Sequence, residues 1–564
     1  MHGRRSPSAI ALVLLGGGLL FGQETTRVSV DSNGAEADWF SGGSKISADG
    51  RVVAFASNAS NLVGGDTNGA FDVFVHDRST GVTERVSVDS SGNEGSGDNP
   101  YFDAPQIAIS ADGQIIAFSS QAPDLVANDT NSTWDVFVHD RSTGVTERVS
   151  LDSSGVQAND ASFRLGLKAD GSIVAFDSLA SNLVTGDTNG FPDIFVHERA
   201  TGITTRVSVD TVGTEANDWS LSPAISADGN LVTFRSLAWN LVSGDTNGTW
   251  DIFVHDRGTG TTERVSVDSA GVQANNNSDG PVISADGRVV AFSSRASNLV
   301  SSDLNGRLDV FVHDRSSGIT ERVSVDSSGN EGDKDSGAIG GLAVSISADG
   351  RFIAFVSSAT NLVPNDLNRY YDVFFRDRIQ GVTERVSVDS AGVEGNGSSG
   401  GCSLSSNGQL VAFASIASNF VANDTNGETD VFVRNRCDAL WSNYGTGFAG
   451  TNGVPTLVAL NDPVLGTKVT IDVGNSYGQP TFGVLLVGDQ STDVPTNRGG
   501  DLLVLMTFLL PLGFSSSSGL QVDGDLPDDD SLCGESIYLQ ALEIDPGASK
   551  RLSFTAGLEL ILGR

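Results

Sequence analysis

The sequence predicts an all-β chain: a seven-bladed β-propeller closed by an N-terminal strand, followed by a smaller β-sandwich-like domain. Three observations lead there. A unit recurs seven times, marked by Asp-Thr-Asn or Asp-Leu-Asn starting at Asp66, Asp129, Asp187, Asp245, Asp303, Asp366 and Asp424, at spacings of 58 or 63 residues. In phase with it runs a second marker, ISADGRVVAF at Ile46, with variants at Ile109, Leu167, Ile225, Ile283, Ile346 and Leu404. Asp-Gly or Asn-Gly there stands between two apolar runs, the strongest short-range signal for a β-hairpin. Third, the last unit stops at Arg436 after DVFVRNR and lacks a TERVSV-type segment, while an orphan segment of that type, TTRVSVDS, stands at 25–32. A closed ring uses such a spare strand to complete its last sheet and leaves no open edge.

Taken in order, residues 1–23 read as a secretory signal peptide. Arg4 and Arg5 precede an apolar run over 9–21 that is broken by Gly16, Gly17 and Gly18, with cleavage expected near Gln23. The run is too short to span a membrane. The mature chain is therefore expected to be exported, to the extracellular space, the cell surface or the periplasm, with no transmembrane segment. Residues 24–436 carry the repeat, for which NLVGGDTNGAFDVFVHDRSTGVTERVSV at 61–88 serves as the example. The hairpin supplies the first and second strands of each unit. A loop with Asp-Thr-Asn-Gly follows, DVFVHDR makes the third strand, and after an STG turn TERVSV makes the fourth. Four short antiparallel strands in ~40–60 residues describe one propeller blade. Residues 437–564 lack the repeat and read as a separate β domain, with strands expected at 456–460, 468–474, 482–487, 502–509, 537–544 and 552–562. The apolar stretch 502–514 holds Pro511 and reads as a buried strand pair.

The ISADGxxVAF…DVFVxDRxTGxTxRVS pattern resembles the TolB-type, WD40-like β-propeller repeats of exported bacterial proteins, over residues 25–436. The resemblance implies the fold and is silent on activity, because propellers host enzymes, binding modules and scaffolds alike. The C-terminal segment, IYLQALEIDPGASKRLSFTAGLELILGR, is similar to a β module found on other exported bacterial repeat proteins. Its position suggests attachment or sorting at the cell surface. A β-sandwich that caps the propeller is an equal alternative.

Composition narrows the partners. The formal net charge is -36 and charged residues are 18% of the chain. Such a surface repels nucleic acid and anionic lipid, and suits divalent cations, basic partners or simple solubility. Three cysteines, Cys402, Cys437 and Cys533, are too few for a disulfide scaffold. A bridge between Cys437 and Cys533 and a pair of free thiols remain open, with Cys402 the unpaired one.

The candidate metal ligands are the acids and amides of the repeated Asp-x-Asn-Gly-x-x-Asp loop. They are Asp66, Asn68 and Asp72; Asp129, Asn131 and Asp135; Asp187, Asn189 and Asp193; Asp245, Asn247 and Asp251; Asp303, Asn305 and Asp309; Asp366, Asn368 and Asp372; and Asp424, Asn426 and Asp430. Two carboxylates and an amide oxygen are hard donors suited to calcium. The set lacks an acidic position and a terminal Glu of the familiar calcium loop, and Gly gives way to Ser132 and Arg369. The competing reading has the first Asp capping a turn, the Asn in a left-handed conformation, and the second Asp fixing the start of the third strand. The loops between fourth and first strands, such as 31–36 and 89–94, are acidic too, and strand alternation puts them on the same rim.

No catalytic motif emerges. His76, His139, His197, His255 and His313 occupy one repeat position, replaced by Arg376 and Arg434 in the last two units, which marks a structural imidazole. Trp134 and Trp250, ahead of the third strand, and Trp39 and Trp219 are expected on the acidic rim. The leading expectation is a non-enzymatic binding module that takes a protein or glycan on that rim, with calcium as a conditional cofactor. One alternative is an extracellular polysaccharide hydrolase or lyase at the channel mouth, built on residues that break the repeat, such as Lys168, Asp177 and Arg235. The other is a structural envelope protein. Clustering of unrepeated polar residues at one channel mouth would favour the enzyme, and a uniform ring would favour binding or structure.

Overall fold

The computed structural model describes residues 10–11, 23–97, 107–337, 343–436, 440–465, 467–496, 501–514, 519–526 and 536–563. The chain divides into two compact units, one of residues 24–434 and one of 1–23 with 435–564. All regular structure among the described residues is β.

In the larger unit, six antiparallel sheets each take four consecutive strands in chain order. The first comprises Ser41–Ile46, Val52–Ser57, Asp72–Asp77 and Val82–Arg85. A seventh sheet of the same kind joins Ser399–Leu404, Leu410–Ser415 and Asp430–Asn435 to the N-terminal strand Glu24–Arg27, which takes the outer place. First strands of successive sheets lie side by side, and that of the seventh returns to that of the first. The hairpin turns are also tied rim to rim. Ala48 N donates to Ala111 O, Ala111 N to Ala169 O, Ala285 N to Ala348 O, Ala348 N to Ser406 O, and Ser406 N back to Ala48 O. This part of the chain is a β-propeller.

The second strand of the first sheet, VVAFAS, is buried at every position. Both of its faces are covered, as continuous apolar runs require. One face, with Val52, Ala54 and Ala56, packs with Ile107, Ile116 and Phe118 of the second sheet. The other, with Val53 and Phe55, packs with Ala412, Val431 and Val433 of the seventh. Phe55 and Phe74 stack at 6.0 Å, and the pair repeats round the ring. The fourth strand is shorter than the TERVSV motif predicts, ending at Arg85. Ser87 leaves the ladder because its hydroxyl bridges Asp72 Oδ1 at 2.6 Å and the Val73 N–H at 3.0 Å.

In the smaller unit, one sheet orders Leu440–Tyr444, Gly557–Ile561, Ser536–Ile544, Thr481–Gly488 and Phe508–Phe514, with Leu552–Phe554 beside Ser536–Ile544. A second sheet holds Leu457–Ala459, Lys468–Val473 and Leu520–Asp525, and Ile10–Ala11 pair with the last of these. Val469, Ile471 and Val473 of one sheet share a core with Leu485, Leu539 and Leu558 of the other. The strand expected over 502–509 is two strands, Asp501–Leu505 and Phe508–Phe514, and that over 552–562 is likewise two. Pro511 fits because Phe508–Phe514 is an edge strand. Cys437, Cys533 and most of the expected leader lie outside the described residues.

Candidate functional site

The loop between second and third strands and the loop that leaves the fourth strand meet on one rim. In the first sheet Asn68 Nδ2 donates to Gly95 O at 2.9 Å and to Asp72 Oδ2 at 3.1 Å, while its Oδ1 accepts from the Ala70 N–H at 2.8 Å. Asp72 is fully buried at the first position of the third strand. Asp66 approaches from the loop and Glu94 from the far side. Carboxylate oxygens of Asp66, Asp72 and Glu94 lie within 4.8 Å of one another, as do those of Asp187, Asp193 and Glu215, and those of Asp303, Asp309 and Glu331.

A cation from the chain itself stands among them. Arg85 Nη1, from the fourth strand, is 3.4 Å from Asp66, 3.3 Å from Asp72 and 2.7 Å from Glu94. Arg206 repeats this with Asp187, Asp193 and Glu215, Arg322 with Asp303, Asp309 and Glu331, and Arg385 with Asp366, Asp372 and Glu394. Arg148 holds Asp129 and Asp135, and Arg264 holds Asp245 and Asp251. In these two units Gln157 and Gln273 replace the Glu. Arg27 of the closing strand serves Asp424, Asp430 and Glu36. These arginines were the residues that motif reading missed. Their signal was present: every TxR copy keeps Arg in one register, opposite an acid-rich loop.

One guanidinium faces up to three carboxylates, so negative charge is in excess. Burial and the Asp72 charge push Asp66 up to about 6, and Asp366 and Asp424 behave alike beside Asp372 and Asp430. Burial pushes Asp193 and Asp251 up to about 6 as well. Glu94 goes the other way, held down first by the Thr67 hydroxyl. Calcium takes six to eight oxygens. Here Arg Nη1 takes the point between the acids, and the Asn oxygen is turned to its own loop while its amide N–H faces the second Asp. As arranged, the residues fit a guanidinium better than a calcium ion.

The histidines are buried and linked. His76 Nδ1 lies 2.8 Å from Thr83 Oγ1, and that hydroxyl donates to the Val30 carbonyl across the junction with the neighbouring sheet. The same relay runs through His139, His197, His255 and His313. Burial lowers the His76 pKa, keeping the ring neutral. Cys402 is a buried free thiol whose pKa is pushed up to about 12 by burial.

Among the unrepeated residues, Lys168 pairs with Asp170 at 2.7 Å in its hairpin turn, away from the acidic rim. Asp177 and Arg235, on the second strands of adjacent sheets, instead belong to one buried polar group with Arg164 and Asp279. Trp250 lies under Arg235 at 4.6 Å. Trp39, Trp219 and Trp239 are exposed in rim loops, at 54%, 42% and 66%.

No family model matches the chain, and no curated protein matches it. Solved structures do. A TolB candidate from Agrobacterium tumefaciens aligns over 53% of this chain and 87% of its own at 16% identity, with a TM-score of 0.32. The WD40 repeats of RRP9 align over 74% and 99% at 8% identity and a TM-score of 0.38. The periplasmic gluconolactonase PpgL of Pseudomonas aeruginosa aligns over 61% and 83% at 17% identity and a TM-score of 0.30. At these identities and TM-scores the overlaps carry no argument about activity, and the fold is read from the sheets themselves. What identifies the chain is its own architecture: a β-propeller of repeated four-stranded sheets.

Proposed function

We propose that the chain is an exported, seven-bladed propeller over residues 24–436 with a β-sandwich-like domain over 437–564, and that it acts as a non-enzymatic binding module on its acidic rim. One observation carries this reading. The arginines of the rim counter part of its repeated charge, and the exposed aromatics Trp39, Trp219, Trp239, Tyr370 and Tyr371, which vary from unit to unit, all lie in loops of that rim. A rigid ring that presents unlike aromatic loops on one face is suited to recognition of a protein or glycan.

The Asp177–Arg235 group favours a second reading, a polysaccharide hydrolase or lyase at the channel mouth. Burial pushes the Asp177 carboxyl up against the pull of Arg164, but the other acid of the group, Asp279, is committed to Arg235, and glycoside hydrolysis calls for a pair of carboxylates flanking the bond. Calcium enters as a conditional partner of the loops. The test is a screen of the secreted protein against immobilised glycans and surface proteins, with melting curves in millimolar calcium and in EDTA. Capture of a defined ligand, no new sugar ends, and a melting midpoint indifferent to calcium are expected. Release of new reducing or unsaturated ends from a polysaccharide would overturn the binding reading. A midpoint that falls in EDTA would assign the loops as metal sites.

A further inference from the structure

In each second strand one residue follows the buried Phe: Ala56, Ser119, Asp177, Arg235, Ser293, Val356 and Ala414 in turn. Only the third and fourth sheets place a charge there. Asp177 is fully buried. Its Oδ2 accepts from the Ser222 N–H at 3.0 Å and lies 3.4 Å from Arg164, while its Oδ1 has no protein partner. Arg235 pairs with Asp279 of the fifth sheet. Around them Arg164 Nε, Arg235 Nε, Ser222 Oγ and Ser293 Oγ are also buried without protein partners. Buried polar groups are nearly always satisfied, so this concentration in adjacent sheets points to a polar ligand.

The backbone agrees. First strands carry a bulge, between Gly42 and Lys45 in the first sheet and between Leu221 and Ala224 in the fourth. Glycine takes the left-handed residue at Gly43, Gly280 and Gly401, with φ of 65°, 59° and 60°. In the fourth sheet Ser222 stands there at φ 58°. A serine holds that conformation at a cost, and such strain gathers at functional sites.

We propose that the channel mouth at the third to fifth sheets binds a neutral saccharide, a reading that rests on the rim being a binding face. Asp177 Oδ1 and the Ser222 and Ser293 hydroxyls accept from sugar hydroxyls, and the two guanidinium groups donate to them. Two arginines against two aspartates leave the group without net charge, and the acidic chain around it disfavours anionic sugars. Trp219 directly precedes the first strand of the fourth sheet and Trp239 follows its second, so both exposed indoles stand at the same end of that sheet to stack on a sugar face. Arg164 keeps 25% of its side chain in solvent and marks the way in.

The test is calorimetric titration, with indole fluorescence, of the full chain against neutral gluco-, xylo-, manno- and galacto-tetraoses, with oligogalacturonate as the anionic probe. One neutral tetraose binds, and Ser222→Gly and Asp177→Asn each weaken it at least tenfold. Ser222→Gly relieves the backbone, so its melting midpoint holds or rises while binding falls, which a purely structural serine would not produce. No binding of any neutral tetraose, preference for oligogalacturonate, or binding unchanged in folded Ser222→Gly overturns the site. A ligand captured on the rim in spite of these substitutions leaves the binding reading standing without this site, whereas cleavage of the tetraose overturns the binding reading itself.

Discussion

The five histidines show how much a single side chain can be asked to reveal. Thr83 uses its own proton on the Val30 carbonyl, so the contact with His76 requires the ring to donate from Nδ1. The last two units supply the control. Arg376 and Arg434, which can only donate, point at Thr383 and Thr25 from the same position. His197→Arg should therefore leave stability within about 1 kcal/mol, while His197→Phe loses a hydrogen bond and costs about 1–2 kcal/mol. Urea denaturation of the two variants distinguishes them, and equal losses would refute the donor assignment. The structural role of these histidines could be read from repetition alone. The partner could not, because Thr83 faces His76 across a strand pair and Val30 lies in another unit, and no local pattern records that register. Asp177 and Arg235 were visible as breaks in the pattern. Their place in one electrostatic group was not, since it depends on sheets packing side by side, 58 residues apart in sequence.

At the scale of the strand and loop, the Asp–Asn loops and the Arg strand form one electrostatic element. Asp66, Asp193, Asp251, Asp366 and Asp424 have folded pKa values of about 6 against an ordinary 3.8. They bind protons more tightly folded than unfolded. The stability they contribute is thus complete below their unfolded pKa and is lost as pH rises through about 6. Glu36, Glu94, Glu215 and the turn residue Asp89 are shifted down, and their contribution disappears only in stronger acid. The five buried histidines, held below their ordinary value, cost stability as pH falls through 6.5 and offset part of the gain from the raised acids. The melting midpoint should therefore rise only modestly from pH 8 to about 5, carried by the larger number of raised acids, and fall below about 4. A midpoint that drops steadily between pH 8 and 5 would contradict the shifts. The loop motif alone suggested a metal because it displays the acids and not the base. The arginine enters from a strand 19 residues downstream of Asp66, and only folding brings it between them.

For the whole molecule, the closing strand is the decisive element. It brings Arg27 to Asp424 and Asp430, and its Ser29 hydroxyl bridges Asp430 and the Val431 N–H. A chain lacking residues 24–32 leaves Asp430 buried without its guanidinium, a loss of about 3–5 kcal/mol for that pair alone. Limited proteolysis should cut the seventh sheet first, and the urea midpoint should fall. An unchanged digest and midpoint would show that the ring does not depend on this strand. Closure was the most legible feature of the sequence, because a missing fourth strand at one end and a spare one at the other leave one arrangement.

That same strand sets an order of events. Glu24–Arg27 is among the first pieces of the ring to be synthesised, yet the hydrogen bond from Arg27 to Asp430 spans 403 residues. Until the seventh unit exists, this strand has no lawful neighbour, and each completed sheet offers its unclosed face to other chains. Contacts so distant in sequence form late and expose intermediates to aggregation. The ring therefore behaves as a clasp whose hook is made first and fastened last. A factor that shields the early residues during synthesis is therefore expected to raise the yield of folded protein.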